Sequence, residues 1–305
     1  MEQSMDLYKE LCEAAGAENV LTDEPMSRHT TFRIGGPADY FVTPSCVDEI
    51  RKIIEICHRN SIAYYIMGNG SDLLVGDKGY RGVIVQLFKR MNEIRVTGER
   101  IYVQAGALLS RTAAAACEAS LTGMEFASGI PGTMGGALRM NAGAYGGEMK
   151  HIVESADILT ADGEVKTLSV EELGMGYRTS VISRNDYVAL GAVLKLQRGD
   201  QEQIRARMEE LKEKRISKQP LEYGSAGSTF KRPEGYFAGK LIEDAGLRGY
   251  RVGDAQVSEK HCGFVINRGC ATAAEVAQLM EDVADRVEER FGVRLQPEVK
   301  KIGEF

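Results

Sequence analysis

A glycine- and serine-rich stretch, YGSAGSTFKRP at 223–233, carries side chains that could move a proton. Ser228 lies inside it, and Lys231 and Arg232 follow within four residues. A serine hydroxyl donates a proton only where neighbouring groups stabilise its alkoxide or relay a proton, and nearby cations could do so. The alternative is a solvated hydroxyl in a glycine-rich turn.

Two further segments are rich in glycine and could bring backbone amides close to a ligand. GNGSDLL at 68–74 has two glycines in three residues, which lets amides donate to a phosphate or simply forms a tight turn. It is not GxGxxG, because position 73 is leucine, and no GK[ST] follows. SGIPGTMGGALRMNAGAYGG at 128–147 holds seven glycines in twenty residues, so we expect extended or turning backbone against a large cofactor or a neighbouring element.

The overall composition limits the class of protein. The 305 residues predict about two domains, and a net charge of -6 gives no general attraction to nucleic acid or anionic membrane. The N-terminus lacks a secretory pattern and no run of about 20 apolar residues occurs, so we expect a cytoplasmic protein without membrane insertion. The six cysteines have no metal-site spacing, which predicts free, mostly buried thiols and no metal.

Hydrophobic periodicity predicts the elements that must position these loops. Helices are expected at 46–59, 110–123, 200–218, 237–245 and 273–291, and strands at 64–67, 82–87, 100–105, 155–161, 164–169 and 187–197. The last helix has a capping box at Thr272 and Glu275 and ends at Gly292. Asp162 and Gly163 predict a hairpin turn, and a domain boundary is expected near the charged helix at 200–218.

Several motifs occur in order along almost the whole chain. They are TFRIGGPAD at 31–39, GNGSDLLV at 68–75, IPGTMGGALRMNAGAYG at 130–146, YRTS at 177–180, GSAGSTFKRP at 224–233 and PEVKKIG at 297–303. Together they closely resemble the UDP-N-acetylenolpyruvoylglucosamine reductase (MurB) family of peptidoglycan synthesis, in its shorter, type II form. Each short motif is weak alone, but their order makes the match specific.

The resemblance implies an α+β protein. Residues 1–199 would form an N-terminal helix and an FAD-binding domain of the PCMH/vanillyl-alcohol-oxidase type, not a Rossmann fold, with α/β subdomains at about 30–93 and 94–197. Residues 200–305 would form an α+β substrate-binding domain whose C-terminal tail returns to the flavin site. FAD would bind tightly but non-covalently to Gly68, Asn69, Gly70, Ser71, Asp72, Leu73, Ser128, Ile130, Pro131, Gly132, Gly135, Gly136 and Asn141. Asp72 stands where many relatives have asparagine.

The resemblance also implies the reaction. NADPH would reduce the flavin, which would pass hydride from N5 to C3 of UDP-N-acetylglucosamine enolpyruvate and yield UDP-N-acetylmuramate for cell-wall synthesis and cell division. Negative charge then builds on the substrate carboxylate and C2, where cations and acids are needed. Arg178 matches the carboxylate-binding arginine, Glu298 a second polar group there, and Ser228 the donor of a proton to C2.

The remaining implied residues concern the nucleotide sugar. Arg232 matches a diphosphate-binding position, Lys231 is its cationic neighbour, and His261 resembles a nucleotide-sugar contact or is an ordinary hydrogen-bonded histidine. Tyr145 and Tyr177 could shape the flavin pocket or be core aromatics. We expect a monomer.

Two other functions remain open from the sequence. One is an FAD oxidase of the same superfamily acting on an alcohol or amine, which Ser228, Arg178 and Glu298 disfavour because they match reduction of an enol ether. The other is a regulatory protein whose glycine loops hold a nucleotide without turnover. Bound flavin would count against the second.

Overall fold

The computed structural model describes residues 2–305, with side chains from residue 6 onward. The α-helices are α1 (Glu2–Ala15), α2 (Val47–Arg59), α3 (Leu109–Glu118), α4 (Met134–Met140), α5 (Val170–Leu173), α6 (Val181–Arg184), α7 (Gln201–Lys218), α8 (Ala238–Asp244) and α9 (Ala273–Phe291). The strands are β1 (Val20–Pro25), β2 (Pro37–Val42), β3 (Tyr64–Met67), β4 (Leu73–Val75), β5 (Tyr80–Gln86), β6 (Ile94–Thr97), β7 (Arg100–Gln104), β8 (Leu121–Thr122), β9 (Gly143–Ala144), β10 (Gly147–Glu148), β11 (Val153–Leu159), β12 (Val165–Ser169), β13 (Val188–Lys195), β14 (Gln197–Arg198), β15 (Arg251–Val252), β16 (Ala255–Val257), β17 (Val265–Asn267) and β18 (Lys300–Ile302).

The chain divides into two compact units. Unit 1 comprises Met1–Leu21, Phe41–Asn69 and Val83–Arg215, and unit 2 comprises Thr22–Tyr40, Gly70–Gly82 and Ile216–Phe305. Residues 22–40 and 70–82 therefore group with the C-terminal residues. The sequence analysis expected one domain at 1–199 and another at 200–305, and so assigned these two segments to the first domain. For residues 70–82, long-range pairing explains this grouping, because β18 pairs in parallel with β4 through Lys300 and Leu73.

Strands of two sheets position the loops of interest. An antiparallel sheet of order β12-β11-β13-β7-β6 forms one of them. In the other, of order β1-β2-β5-β3, strands β3 and β5 pair in parallel, with Met67 opposite Gln86. Both strands therefore end at one edge, from which the segment beginning at Gly68 leaves. The apolar face of α2 is buried, as its periodicity predicted.

In unit 2, α8 and α9 pack around the small sheet β15-β16-β17. The expected capping box of α9 is present between Thr272 and Glu275, and Gly292 ends the helix in the left-handed conformation. The sequence did not show a second cap, in which both carboxylate oxygens of Asp77 accept bonds from the amides of Ala273 and Ala274. Orphan amides at the helix start are thereby satisfied by a residue almost 200 positions away.

Two expectations about local structure are wrong. The helix expected at 110–123 ends at Glu118, because Ser120 turns the chain with φ 55° and Leu121 starts a strand that pairs with β14. Segment 128–147 was expected to contain no helix, yet it contains α4. Gly135 is tolerated there because it packs closely: a Cβ on it would lie 3.0 Å from the Cβ of Ala105.

The cysteines are less uniformly buried than expected. Cys57, Cys117 and Cys262 are buried, whereas Cys46 and Cys270 are exposed. In the described part of the chain, no helix is long and apolar enough to cross a membrane.

Candidate active site

Two glycine loops meet in unit 1. Asn69 donates a hydrogen bond from Nδ2 to the carbonyl of Pro131 at 2.8 Å. Beside it, a Cβ on Gly68 would lie only 2.1 Å from Oγ1 of Thr133, so no larger residue fits there without displacing that buried threonine. The structure thus brings the predicted cofactor residues 68–69 and 130–133 together, although nothing locally in the sequence linked them.

Glycines 135 and 136 border a small cavity of about 80 Å³, which Gly68, Leu87 and Ala189 also line. Gly136 is exposed, and a Cβ on it would meet nothing closer than Oγ1 of Thr133 at 3.8 Å. Protein packing therefore does not explain a glycine at position 136. A ligand that approaches the backbone would explain it.

A polar side chain that the sequence reading missed lies at the same strand edge. Gln86 is 2% exposed, and its Oε1 is buried with no hydrogen-bond partner among the described residues. It lies opposite Met67, the residue before the first glycine loop. The sequence feature that could have indicated this residue is a glutamine at the end of the apolar run GVIVQ. A close-approach glycine and a buried acceptor fit a large cofactor with polar donors.

The second half of the first loop, 70–73, belongs to unit 2. Gly70 has φ 63°, and a Cβ on it would lie 2.2 Å from the carbonyl oxygen of His29. Its own carbonyl accepts a hydrogen bond from the amide of Thr31. The carbonyl of Asp72 accepts from the amide of Lys300, and Leu73 is buried in the β4–β18 pair. Backbone contacts thus fix this half of the loop.

Arg178 lies at the tip of a tight turn in unit 1. Gly176 and Thr179 pair across the turn, and the amide of Gly176 donates to the carbonyl of Thr179 at 3.0 Å. Arg178 adopts φ 54°, a left-handed conformation that favours glycine or asparagine at this turn position. Its guanidinium lies 5.0 Å from the ring centroid of Tyr177. Strain of this kind at a charged residue is typical of a functional position.

Ser228 lies in a short extended segment that is paired on both sides in unit 2. On one side Ser228 pairs with Phe264, and the amide of Thr229 donates to Gly263. On the other side the amide of Glu298 donates to the carbonyl of Thr229 at 2.9 Å. The side chain of Ser228 is exposed, whereas Glu298 is only 9% exposed. Two predicted catalytic residues 70 positions apart therefore lie on adjacent backbones.

Thr229 was missed by the sequence reading. It is buried, and its Oγ1 accepts a hydrogen bond from the amide of Val265 at 2.9 Å. Together with its two backbone bonds, this contact fixes the segment from which Ser228 projects. The only sequence signal was a hydroxyl residue directly after Ser228.

Lys231 and Arg232, the cationic residues predicted to bind the substrate, come soon after Thr229 in the chain. The amide of Lys231 donates to the carbonyl of Gln296, so Lys231 lies in the same paired segment. Arg232 is exposed, with its guanidinium 4.0 Å from the ring centroid of Phe237 and its Nε bonded to the carbonyl of Tyr236. A planar guanidinium is a suitable group for binding a phosphate.

His261 contacts the same segment through Phe264, whose ring centroid lies 5.0 Å from that of the imidazole. Nδ1 of His261 accepts a hydrogen bond from the amide of Gly263 at 3.0 Å. Burial lowers the pKa of His261 below its usual value. The imidazole is therefore neutral near pH 7 with its proton on Nε2.

Asn141 is buried, whereas the two tyrosines are exposed. Asn141 is 1% exposed, and both its amide nitrogen and its carbonyl oxygen bond to protein groups. Tyr145 is 44% and Tyr177 55% exposed, so neither is a core aromatic.

Comparisons with known proteins define the class first. Residues 38–169 match the family model described as "FAD binding domain", and residues 219–302 match "UDP-N-acetylenolpyruvoylglucosamine reductase, C-terminal domain". The fold is similar to that of 4-ethylphenol oxidase from Gulosibacter chungangensis, with a TM-score of 0.50 and 17% identity over 97% of this chain and 65% of that one. The chain is thus an FAD-binding oxidoreductase with a PCMH-type domain and a separate C-terminal domain.

Closer relatives identify the family. UDP-N-acetylenolpyruvoylglucosamine reductase of Agathobacter rectalis is 55% identical over 94% of this chain and 95% of that protein. The crystal structure of the Thermus caldophilus reductase matches with a TM-score of 0.79 and 34% identity over 93% of this chain and 98% of that one. The chain belongs to the UDP-N-acetylenolpyruvoylglucosamine reductase (MurB) family, the FAD-binding oxidoreductases of peptidoglycan precursor synthesis. The resemblance seen in the ordered motifs, and the fold class that it implied, are confirmed.

Proposed function

We propose that the chain uses NADPH to reduce the enolpyruvyl ether of UDP-N-acetylglucosamine enolpyruvate to UDP-N-acetylmuramate. The observation that carries this proposal is that the amide of Glu298 bonds to the carbonyl of Thr229, so the backbones that carry Ser228 and Glu298 are adjacent in unit 2. A hydroxyl donor and a carboxyl group on adjacent segments supply the kinds of acid that the protonation step of an enol-ether reduction needs. When bound, FAD would supply the hydride chemistry, accepting hydride from NADPH and passing it to C3 of the substrate.

The cofactor is held by the glycine loops. Residues 68–69 and 130–133 supply backbone that approaches the cofactor, and Gly136 leaves room for it. Gln86 would supply a buried acceptor at the strand edge from which the first glycine loop leaves. Because these contacts use backbone and neutral groups, they bind and orient FAD without carrying protons.

Arg178 binds the substrate carboxylate. A bidentate guanidinium matches the two oxygens and stabilises the negative charge that develops there when hydride reaches C3. The strained turn holds Arg178 in one backbone conformation and so limits the reorganisation needed during the reaction. Glu298, in unit 2, supplies a second polar contact to the substrate.

Ser228 donates the proton to C2. The paired segment on either side fixes its backbone, while its exposed side chain remains accessible to substrate. Lys231 and Arg232 bind the diphosphate of the nucleotide sugar, and they also lower the energy of the serine alkoxide. His261 remains neutral and offers its Nε2 hydrogen as a donor to the nucleotide sugar. The protein acts as a cytoplasmic monomer.

The first test is anaerobic stopped-flow absorbance of the purified flavoprotein. NADPH should bleach the flavin, and UDP-N-acetylglucosamine enolpyruvate should then restore its colour rapidly. Bleaching without recovery would overturn the substrate assignment and favour another oxidoreductase of this fold. A protein that binds no flavin would overturn the reductase proposal altogether.

Ser228→Ala tests the role of the serine. The variant should keep flavin reduction by NADPH within about twofold and slow reoxidation by the enolpyruvyl substrate by at least about a hundredfold. Ser225→Ala, in the same glycine-rich stretch, is the matched control and should leave both half-reactions unchanged. Equal loss of both half-reactions in Ser228→Ala would contradict the assigned role.

A further inference from the structure

Both polar groups of the Asn141 side chain form hydrogen bonds with protein atoms. It follows α4 with φ 46°, and its Nδ2 donates to Oε2 of Glu148 at 2.7 Å and to the carbonyl of Gly176 at 3.1 Å. Its Oδ1 accepts from the amide of Lys150 at 3.0 Å. Both amide hydrogens are therefore used within unit 1, so a cofactor could receive one only if an existing bond broke.

One of these bonds ends on the turn that carries Arg178. The carbonyl of Gly176 accepts from Asn141, and the amide of the same residue donates to Thr179 across the turn. Gly176 is thus held on both of its polar groups. Because Arg178 lies two residues further on, in a left-handed conformation, the turn must resist relaxation to an unstrained backbone.

Glu148 orients the amide of Asn141. Its Oε2 also accepts from Nζ of Lys150 at 3.0 Å, and the hydrogen bond from Lys150, together with that from Asn141, lowers the pKa of the Glu148 carboxyl. A carboxylate accepts only, so it requires the NH2 group of Asn141 to face it. That orientation directs the second amide hydrogen at Gly176 and the carbonyl oxygen at the amide of Lys150.

We propose that Asn141, oriented by Glu148, is a positioning residue that holds the Arg178 turn in its strained conformation. This inference rests on the proposed function of Arg178 and gives the Asn141 side chain a role other than the cofactor contact that the resemblance implies for this residue. The energy of the network maintains a guanidinium geometry that the turn alone would not favour. Asn141 acts on the substrate step through Arg178 and not through the cofactor.

The variant Asn141→Ala distinguishes a role in positioning the Arg178 turn from a role in binding FAD. Its FAD dissociation constant and its rate of reduction by NADPH should stay within about threefold of wild type, while reoxidation by the enolpyruvyl substrate should slow about 10- to 100-fold. Asn92→Ala is the matched control, since its amide also donates to two backbone carbonyls of unit 1, those of Phe88 and Lys89. Asn92→Ala should leave reoxidation unchanged.

A double-mutant cycle tests whether Asn141 acts through Arg178. In an Arg178→Lys background, which cannot make the bidentate contact, Asn141→Ala should slow reoxidation by less than about threefold further. Additive effects would overturn the inference. Loss of FAD affinity in Asn141→Ala with an intact substrate step would also overturn it and restore a cofactor role.

Hydrogen exchange separates failure of this inference from failure of the proposed function. The amide of Gly176 should exchange at least about tenfold faster in Asn141→Ala than in wild type, whatever the substrate. Suppose that the enolpyruvyl sugar does not reoxidise the wild-type flavin, but that the Gly176 amide exchanges faster in Asn141→Ala than in wild type. Asn141 then positions the turn as inferred, and only the function proposed for Arg178 is refuted. Unchanged exchange would overturn the inference by itself.

Discussion

Gly136 and Gly135 are neighbours in α4 and should respond oppositely to the same added methyl group. A Cβ on Gly135 would lie 3.0 Å from the Cβ and 3.2 Å from the carbonyl oxygen of Ala105. A Cβ on Gly136 would be 3.8 Å from its nearest neighbour, Oγ1 of Thr133. Protein packing therefore disfavours a larger residue at position 135 but not at position 136.

The magnitudes follow from these contacts. Glycine in a helix costs about 0.5–1 kcal/mol relative to alanine, so Gly136→Ala should leave the FAD-free protein as stable as wild type or stabilise it by up to about 1 kcal/mol. If FAD lies against that backbone, an extra methyl group costs about 1–3 kcal/mol of binding energy. The FAD dissociation constant should then rise about 5- to 150-fold. Gly135→Ala should instead destabilise the FAD-free protein by about 1–3 kcal/mol.

Thermal unfolding of the FAD-free protein and equilibrium titration with FAD measure the two effects separately. For Gly136→Ala we expect an unfolding midpoint equal to or a few degrees above that of wild type, together with weakened FAD binding. Gly135→Ala should lower the midpoint by several degrees. A Gly136→Ala variant that binds FAD like wild type would refute the reasoning, because no reason for that glycine would then remain.

Three further predictions concern stability and reactivity. Asp77→Ala removes the second cap of α9 and should cost about 1–2 kcal/mol in urea unfolding, with Asp77→Asn costing less; equal stability would show that Thr272 and Glu275 cap the helix alone. Burial raises the pKa of Cys57 to about 12, so a thiol reagent at pH 8 should modify exposed Cys46 first and Cys57 only after unfolding. Because burial lowers the pKa of His261, its contribution to stability should be complete above pH 6.5 and lost as pH falls through the lowered pKa; His261→Asn should remove this pH dependence, and identical pH profiles would contradict it.

The local sequence was sufficient to predict those helices and turns that are determined by contacts between residues close together in the chain. The helix Val47–Arg59 and the helix Ala273–Phe291 were predicted because apolar residues recur with the helical period and, in the second, because a capping box starts it. The hairpin at Asp162 and Gly163 was predicted for the same kind of reason, since a glycine with φ 80° closes the turn. In each case the determining contacts lie within a few residues.

Segment α4 shows where local reasoning fails. Paired glycines weaken a helix in isolation, and the composition of 128–147 therefore predicted none. The amides of Met134 and Gly135 instead donate to the carbonyls of Ala107 and Ala105, about thirty residues earlier in the chain. Those long-range bonds and the close approach to Ala105 compensate for the poor local propensity.

By itself, the sequence determined the family, the fold class and the residue types available for catalysis, because ordered motifs and hydrophobic periods are properties of the chain. Tertiary structure alone decided which of those residues meet. It bonded the amide of Glu298 to the carbonyl of Thr229, the residue after Ser228, and it bonded the amide group of Asn141 to the carbonyl of Gly176, in the turn that carries Arg178. Hydrogen bonds between distant segments fix these arrangements, and no local pattern in the chain encodes which donor will find which acceptor.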